Sequence, residues 1–368
     1  MGKKSPSAII ARWEAFLMKS KKITSFILAC AFVLTGCTAA KDTTVTTGVT
    51  SALVTSETTA ETTPETTVKP KFEFNPHPYS KKLSERIPQE HWDAMNNLID
   101  AVRKGETTFK CANEEAYKWC TDPTVLCCLI PPAGTKVEGK SDDGSPAFEN
   151  GTGKLHYTMP VEEYVKRQKD FEKMIEDILN SNIEYDDTEY EKALKLYLYV
   201  ASNFEYKEMN EQEAVDSYVY LSFVNKNGVC ENFAAVYAYL LLQSGIDSFS
   251  IGCFDKNCHA WTYAIINGQG YHIDTTWALK GTRNGIYLDY FMMSDKEREY
   301  DDCPVGDLTG ALVPGYWVNK TSWSLPATDN RYNIRDWCYF ESLDEEKKIL
   351  HYVDVNNEPK EFHYGDVK

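Results

Sequence analysis

The chain has 368 residues, of which 42% are hydrophobic and 13% aromatic, enough to bury one large domain or two modest ones. Its formal net charge is −16 and no basic stripe stands out, which argues against a nucleic-acid partner. An acidic surface favours solubility and says little about the fold.

The first residues are typical of an export signal. Residues 18–37 begin with a lysine-rich stretch, and residues 23–34 form an apolar run too short to span a bilayer comfortably. Leu34-Thr35-Gly36-Cys37 resembles a bacterial lipobox, in which the cysteine becomes an acylated N-terminus. We therefore predict a signal peptide over residues 1–36, a true start at Met18 and lipidation of Cys37. The alternatives are an ordinary signal peptide cut nearby, or a buried helix.

Residues 37–70 form the predicted link between the lipidated cysteine and the folded body. Residues 41–69 contain 12 threonines and no hydrophobic period, which predicts a disordered spacer. A lipid anchor followed by a flexible polar tether lifts a folded body off a membrane. We expect the protein at the cell membrane, lipid-anchored and facing outside the cytoplasm.

Residues 71–186 are expected to be mainly helical. Pro88 opens a helical pattern that Gly105 ends, Pro160 opens a second, and Asp187-Thr188 can cap a third. Residues 133–158 are rich in Gly, Asp and Ser and predict a long loop with short strands. This N-terminal region carries no motif that indicates chemistry.

The region after residue 229 predicts a helix followed by an antiparallel meander. Residues 230–244 have apolar side chains at i, i+3 and i+4 spacing, and Gly245 follows as a C-terminal cap. Three strand-like runs come next, at residues 249–254, 259–266 and 271–275. A helix that packs on such strands gives an α+β fold.

Cys230 stands at the start of that helix, where thiol chemistry is favoured. A helix N-terminus offers about half a positive charge and free amide groups, which stabilise a thiolate and lower the pKa of a thiol. The same amides can hold an oxyanion when a carbonyl is attacked. The alternative is that Cys230 is a small buried hydrophobic residue.

His259 and Asp274 lie on neighbouring strands joined by the turn Asn267–Gly270. Side chains of paired strands lie about 4.5–5.5 Å apart at Cβ, so a carboxylate at Asp274 could orient the imidazole. The alternatives are a packed or surface His259 and an Asp274 that caps a turn. His272 shares a strand face with Asp274 and competes for the role of base.

Three motifs together resemble the core of the transglutaminase-like superfamily. They are G-V-C-E-N-F-A around Cys230, H-A-W from His259, and H-I-D-T-T-W around Asp274, and the resemblance covers roughly residues 187–300. It implies a papain-like fold, in which a cysteine-bearing helix packs on an antiparallel sheet. It also implies Cys230 as the nucleophile, His259 as the base and acid, and Asp274 as the residue that orients His259.

The resemblance suggests further residues around the triad. Tyr220 lies ten residues before Cys230, where bacterial members of the superfamily often have an aromatic residue near the oxyanion site; the alternative is a core tyrosine. Trp261 and Trp277 are interpreted as packing residues that wall the site. Asn232 departs from the glycine common two residues after the cysteine.

The sequence does not determine how the remaining cysteines pair. Of 11 cysteines, eight remain outside the signal, Cys37 and Cys230, which permits up to four disulfides outside the cytoplasm. In an anaerobic organism, all eight could instead be free thiols. A zinc site is disfavoured because no paired C-x-x-C units occur, and no calcium loop is evident. We therefore expect no metal and no cofactor.

A Cys-His-Asp site forms a thioester with an acyl group, and the acceptor then decides the reaction. Water gives peptidase or amidase hydrolysis, whereas an amine gives protein-glutamine transamidation. The resemblance favours hydrolysis, since many bacterial members look like proteases. We expect an extracellular protein or peptide substrate and a monomer. The alternative of another class is an inactive envelope module for binding or structure.

The segment after the core, residues 301–368, is expected to pack on it as an extension. Residues 286–300 resemble a strand that follows the core in related proteins. Residues 335–365 alternate as a hairpin around Asn356-Asn357.

Overall fold

The computed structural model describes residues 69–207, 218–253, 259–279, 285–298, 311–313, 316–318, 325–332, 334 and 338–367, all within the compact unit Thr66–Lys368. The predicted signal peptide, Cys37, nearly all of the tether, Cys258 and Cys303 lie outside these residues.

Three helices begin where the predicted prolines and capping residue stand, and one of them ends at the predicted glycine. The first follows Pro88 and ends at Gly105, whose φ of 75° is the left-handed conformation that glycine adopts readily. Thr188 and Glu191 form a capping box, because the Glu191 amide donates to the Thr188 hydroxyl at 3.3 Å and the Thr188 amide donates to the Glu191 carboxylate at 3.0 Å. The described residues contain eight α-helices: α1 Gln89–Lys104, α2 Glu114–Cys120, α3 Pro123–Leu129, α4 Val161–Asn182, α5 Glu189–Asn203, α6 Tyr218–Asn225, α7 Cys230–Gln243 and α8 Asp295–Arg298.

The strands are short except in the central and C-terminal sheets. They pair antiparallel, apart from two two-residue strands at Glu205–Tyr206 and Asn227–Gly228, which pair parallel. The strands of the described residues are β1 Thr108–Lys110, β2 Val137–Glu138, β3 Phe148–Glu149, β4 Thr152–Lys154, β5 His156–Tyr157, β6 Glu205–Tyr206, β7 Asn227–Gly228, β8 Ser248–Cys253, β9 His259–Ile266, β10 Gln269–Ile273, β11 Ala311–Val313, β12 Tyr316–Val318, β13 Tyr339–Asp344, β14 Ile349–Val353 and β15 Pro359–His363.

The central sheet has the order β10-β9-β8 and supports the candidate site. Its β9–β10 hairpin turns through Asn267 and Gly268, whose φ values of 51° and 76° fit a two-residue turn. α7 packs on one face, where the Thr262 hydroxyl donates to the Ala234 carbonyl at 2.9 Å. The other face contributes Trp261 and other buried residues to the core of the N-terminal region. The expected helix on an antiparallel sheet is therefore present.

The N-terminal region is mainly helical, as predicted, and the short strands expected within residues 133–158 are β2–β5; β1 lies outside that range. These strands form two small antiparallel sheets with the orders β1-β4-β3 and β2-β5. Its leading segment runs across the core, because the Asn75 amide donates to the Gln243 side chain at 2.9 Å. The region thus shares one buried interior with the central sheet.

The C-terminal segment differs from the expectation at one point. The strand predicted for residues 286–300 is wrong, since the described part of this stretch, residues 286–298, makes only isolated bridges, such as Met293 with His272, and continues into α8. Three strands, β13, β14 and β15, replace the single predicted hairpin, because a second turn joins β13 to β14. The turn near Asn357 is present, with a φ of 61° at that residue.

Candidate functional site

Cys230 is the first residue of α7, as the sequence predicts. No side chain caps the first turn from the N-cap residue Val229; instead the Val229 amide donates to Asn232 Oδ1 at 2.8 Å. Gly228 has a φ of 156°, and a Cβ there would lie 2.5 Å from Asn232 Cβ, so position 228 requires glycine. Asn232, the departure from the common glycine, thus fixes the entry of the chain into α7.

The thiol of Cys230 is half-buried, and its pKa differs in direction from the sequence-based expectation. Burial raises it to about 11, and the charges of Glu231 and Asp274 act in the same direction. The backbone amides of Ala260 and Glu231 oppose this shift by hydrogen bonding to the sulfur. Loss of water around the thiol outweighs the amides of the helix start.

His259 begins β9 and is paired with Asp274. The His259 Nε2 lies 2.6 Å from Asp274 Oδ2, and both side chains are buried. Since an ionised carboxylate only accepts hydrogen bonds, Nε2 carries the proton, which leaves Nδ1 as the acceptor. The structure gives no direct hydrogen bond between the His259 ring and Cys230 Sγ, two groups that it describes fully. Such contacts are often long in the absence of substrate.

The sheet register makes this pairing diagonal and not directly cross-strand. Ile273 stands opposite Thr262, so Asp274, one residue past β10, faces Trp261, and His259 is two residues farther along. Diagonal Cα atoms are about 7–8 Å apart, within reach of a long side chain such as histidine. The strand predicted to include Asp274 ends at Ile273, which frees the Asp274 backbone to turn.

Asp274 is wholly buried and surrounded by donors. Its Oδ1 accepts from the amides of Thr276 at 3.0 Å and Trp277 at 3.2 Å, and its Oδ2 also lies 3.3 Å from Arg298 Nη1. Burial acts to raise the pKa of the Asp274 carboxyl, but His259, Arg298 and the Trp277 amide together hold it below the ordinary value. The carboxylate therefore stays ionised beside the imidazole.

Two tryptophans enclose this pair. The Trp277 ring is half-buried and stacks on the His259 ring, with centroids 4.4 Å apart and planes 10° apart. Trp261 is buried behind the pair, and its Nε1 donates to His272 Nδ1 at 3.0 Å. Trp277 therefore walls the imidazole directly, and Trp261 packs deeper.

His272 is engaged by two other side chains. Its Nδ1 accepts from Trp261, and its Nε2 lies 3.0 Å from Asp295 Oδ1. Burial lowers the pKa of His272, although Asp295 opposes the shift. Both ring nitrogens are occupied, so the geometry favours His259 as the base.

Tyr220 lies on α6 with its ring against α4. The guanidinium of Arg167 sits 3.5 Å from the Tyr220 ring centroid, and the Phe171 ring lies 5.9 Å away. Its suggested place at the oxyanion site stays a prediction.

Sequence reasoning missed Arg298 and Asp295. Both lie in S-D-K-E-R-E-Y, a charged run of the kind normally found on a solvated helix face. Nothing in that pattern indicates that the Arg298 side chain is 0% exposed. Five of the remaining cysteines, which the structure describes with their side chains, form no disulfide: Cys111, Cys120, Cys127, Cys128 and Cys338.

Within the described ranges, no group of three or more His, Cys, Asp or Glu side chains could hold a metal ion. No described helix combines the length and apolar character needed to cross a membrane.

Residues 167–275 match the family model of the transglutaminase-like superfamily core, so this part of the chain is a transglutaminase-like domain. Among solved structures, the chain is similar to a candidate cysteine protease from Cytophaga hutchinsonii, at 18% identity and a TM-score of 0.23, over 38% of this chain and 44% of that one. It is also similar to a TGase, at 17% identity and a TM-score of 0.26, over 40% and 39% of the two chains. A third is a candidate protease from Parabacteroides distasonis, at 11% identity and a TM-score of 0.24, over 51% and 36%.

The chain spans less than half the length of each of these three proteins. None of the curated proteins compared with it matches. The chain has a mixed helical and antiparallel fold with a transglutaminase-like core, as the motifs predict.

Proposed function

We propose that this protein is an exported, lipid-anchored thiol enzyme that attacks amide carbonyls. In this proposal Cys230 is the nucleophile, His259 moves the proton, and Asp274 orients His259. The observation that carries it is the buried pair of His259 and Asp274, with Nε2 and Oδ2 2.6 Å apart, on the hairpin beside the helix that Cys230 begins.

The chemistry follows from the protonation states. Because burial raises the pKa of Cys230 to about 11, the thiol is protonated near neutral pH and needs an acceptor at the moment of attack. His259 Nδ1 takes the proton from Sγ while sulfur bonds to the carbonyl carbon, and the negative charge moves to the carbonyl oxygen. Collapse of this intermediate breaks the C–N bond, and the imidazolium returns the proton to the leaving amine. A thioester on Cys230 remains.

The second half of the reaction depends on the acceptor. Water, activated by His259, gives a carboxylic acid and the free thiol, which is the hydrolysis that we propose. A primary amine would give a new amide, which is the transamidase alternative. A glutamine-containing peptide incubated with and without a primary amine separates the two. Release of acid product without amine incorporation supports a peptidase or amidase, whereas a mass shift of the peptide by the amine supports cross-linking.

The anchoring part of the proposal rests on Cys37 in the lipobox-like sequence. We expect acylation there to hold the protein on the outer face of the membrane. Cells that produce the full chain would be labelled with an alkyne-bearing fatty acid and fractionated. The label should be lost in Cys37→Ser and retained in Cys30→Ser. Equal labelling of both variants would contradict a lipid on Cys37.

The catalytic part is tested by iodoacetamide alkylation from acid to alkaline pH, with each cysteine quantified by mass spectrometry. Because His259 Nδ1 can accept the proton during attack on the reagent, we expect Cys230 to react faster than Cys128 near neutral pH despite its raised pKa, and to lose this advantage in His259→Ala. Cys128, which is also half-buried, serves as the internal reference. His363→Ala, at an exposed histidine, is the matched control and should leave the rate unchanged. If Cys230 reacts no faster than Cys128, the enzyme proposal fails and an anchored binding module becomes the better account.

A further inference from the structure

Arg298 is a buried cation directly behind the candidate triad. Its Nη1 lies 3.3 Å from Asp274 Oδ2, the same oxygen that pairs with His259, and neither the Arg298 nor the Asp274 side chain is exposed. Burial of an arginine is costly unless its charge is compensated. The imidazole of His259, the carboxylate of Asp274 and the guanidinium of Arg298 therefore form a buried row.

The segment that carries Arg298 is fixed along the edge of β10. His272 and Met293 exchange backbone hydrogen bonds at 2.9 and 2.8 Å, and the Asp274 amide donates to the Tyr290 carbonyl at 2.9 Å. Asp295 is the first residue of α8. Its Oδ1 lies 3.0 Å from His272 Nε2, and its Oδ2 accepts a hydrogen bond from the Ala327 amide at 3.2 Å. α8 is a single turn that is fixed at both ends. Asp295 pairs with His272 at its start, and Arg298 pairs with Asp274 at its end.

Arg298 also contacts the two indoles of the site. Its guanidinium carbon lies 4.3 Å from the Trp261 ring centroid and 4.6 Å from that of Trp277. Trp277 stacks on His259, and Trp261 is fixed by its hydrogen bond to His272. A planar cation between two aromatic rings is attracted to both and limits their movement.

We propose that Arg298 is a positioning residue of this site, which keeps Asp274 ionised in acid and holds Trp277 against His259. The proposal deepens the proposed function and rests on it. Arg298 would act through Asp274 and Trp277 and would not touch the substrate.

The expected pH dependence follows from the groups that face Asp274. These are His259 from β9, Arg298 from α8 and Cys230 from α7. Burial acts to raise the pKa of Asp274, and His259 and Arg298 oppose it. Removal of the guanidinium therefore raises that pKa, so the carboxylate is lost at a higher pH and His259 loses its partner there.

The experiment uses the full chain and compares wild type, Arg298→Met, Arg298→Lys and the matched control Lys296→Met. Lys296 is exposed on the same helix, so its substitution makes the same charge change away from Asp274. The rate of Cys230 alkylation is measured against pH. We expect the acid limb to move up by at least about one pH unit in Arg298→Met, with a smaller move in Arg298→Lys and none in Lys296→Met. In an Asp274→Asn background Arg298→Met should cause no further move.

A second readout does not depend on the reactivity of Cys230. The downfield proton resonance of His259 Nε2–H, followed by NMR in Cys230→Ser, requires an ionised Asp274. It should disappear at a higher pH in Arg298→Met than in the parent. If Arg298→Met does not fold, the same measurements are made on Arg298→Gln, which lacks the charge but keeps a polar group.

If folded Arg298→Met shows the same acid limb of alkylation and the same NMR titration as its parent, the proposed role of Arg298 is wrong. An unreactive Cys230 with a shifted NMR titration would overturn the proposed function and leave Arg298 as the residue that keeps Asp274 ionised.

Discussion

Glu231, the neighbour of the proposed nucleophile, offers a direct test of the electrostatics of the site. Burial raises the pKa of this half-buried carboxyl to about 7, and its charge raises the pKa of Cys230. Glu231→Gln removes the charge, so we expect Cys230 to be alkylated about threefold faster at pH 8, since one pKa unit corresponds to tenfold in thiolate. The measurement is the ratio of variant to wild-type alkylation rates across pH.

The size of this effect depends on the protonation of Glu231. Below its pKa the wild-type carboxyl is already neutral, so the two rates should converge in acid and separate as pH rises through about 7. Glu115→Gln, at an exposed carboxylate of α2, is the control and should follow wild type. A ratio that stays constant across this window would mean that Glu231 does not act on the thiol through its charge.

Asp274 has a proposed task in orienting His259 and a structural task as the partner of Arg298, and substitution separates the two. Asp274→Asn is expected to lower Cys230 reactivity by at least about 100-fold, because an amide does not hold the His259 tautomer in the same way. It should also lower the free energy of unfolding by about 3 kcal/mol, since the buried Arg298 loses its carboxylate. Urea unfolding and alkylation measure the two effects.

The double variant Asp274→Asn/Arg298→Met tells the two tasks apart. It should recover part of the stability, because no uncompensated buried charge remains, and none of the reactivity. Recovery of both would contradict the role of Asp274 in orienting His259.

The sequence predicts the triad residues better than their electrostatics. Cys230, His259 and Asp274 stand in motifs whose order and spacing are informative on their own. The pKa of Cys230 depends on burial and on neighbouring charges, and these come from residues brought together only by folding. Arg298 is hidden for the same reason, because a charged run gives no sign that one of its members is buried.

At the scale of elements, the β9–β10 hairpin decides which side chains meet. Its turn forces Gly268 to a φ of 76°, and a Cβ there would meet nothing within 4 Å. Gly268→Ala therefore tests backbone strain alone and should lower the free energy of unfolding by about 1 kcal/mol. We expect unchanged Cys230 alkylation at room temperature, because the register is also held by the pairing of β9 with β8.

Gly144 provides the matched control for this variant. It has a φ of 74° and equally open surroundings, but it lies in the N-terminal region. Gly144→Ala should cost a similar amount of stability. A large loss of reactivity in Gly268→Ala alone would show that the turn sets the register of His259 and Asp274 more strongly than the neighbouring strand does.

Elements with local signals were predictable, and those that depend on partners were not. Proline, capping residues and glycine mark the bounds of α1, α4 and α5. Residues 286–293 are apolar enough to suggest a strand, but only isolated bridges join this described stretch to β10 and β13. Strand formation needs a neighbour in register, and a sequence pattern does not supply that information.

At the scale of the molecule, the N-terminal region and the transglutaminase-like core are joined by buried polar contacts. Gln243, at the end of α7, accepts from the Asn75 amide at 2.9 Å and donates to the Asn75 carbonyl at 2.8 Å. Asp247 accepts from the Ser80 hydroxyl at 2.5 Å and the Lys82 amide at 2.8 Å. With one face of the central sheet also covered by the N-terminal region, neither part buries its apolar surface alone.

We therefore expect the described body to unfold in a single transition. Gln243→Ala removes both hydrogen bonds to Asn75 from a buried position and should lower the free energy of unfolding by about 2 kcal/mol without splitting that transition. Gln89→Ala, which removes an exposed bond to Asp93, is the control and should change it by less than about 0.5 kcal/mol. Urea unfolding followed by tryptophan fluorescence and by far-ultraviolet circular dichroism measures both.

Two separate transitions would show that residues 69–186 fold independently, and the N-terminal region could then be removed without loss of the site. A single transition means that changes far from Cys230, on the N-terminal side of the sheet, alter the population of the intact site through global stability.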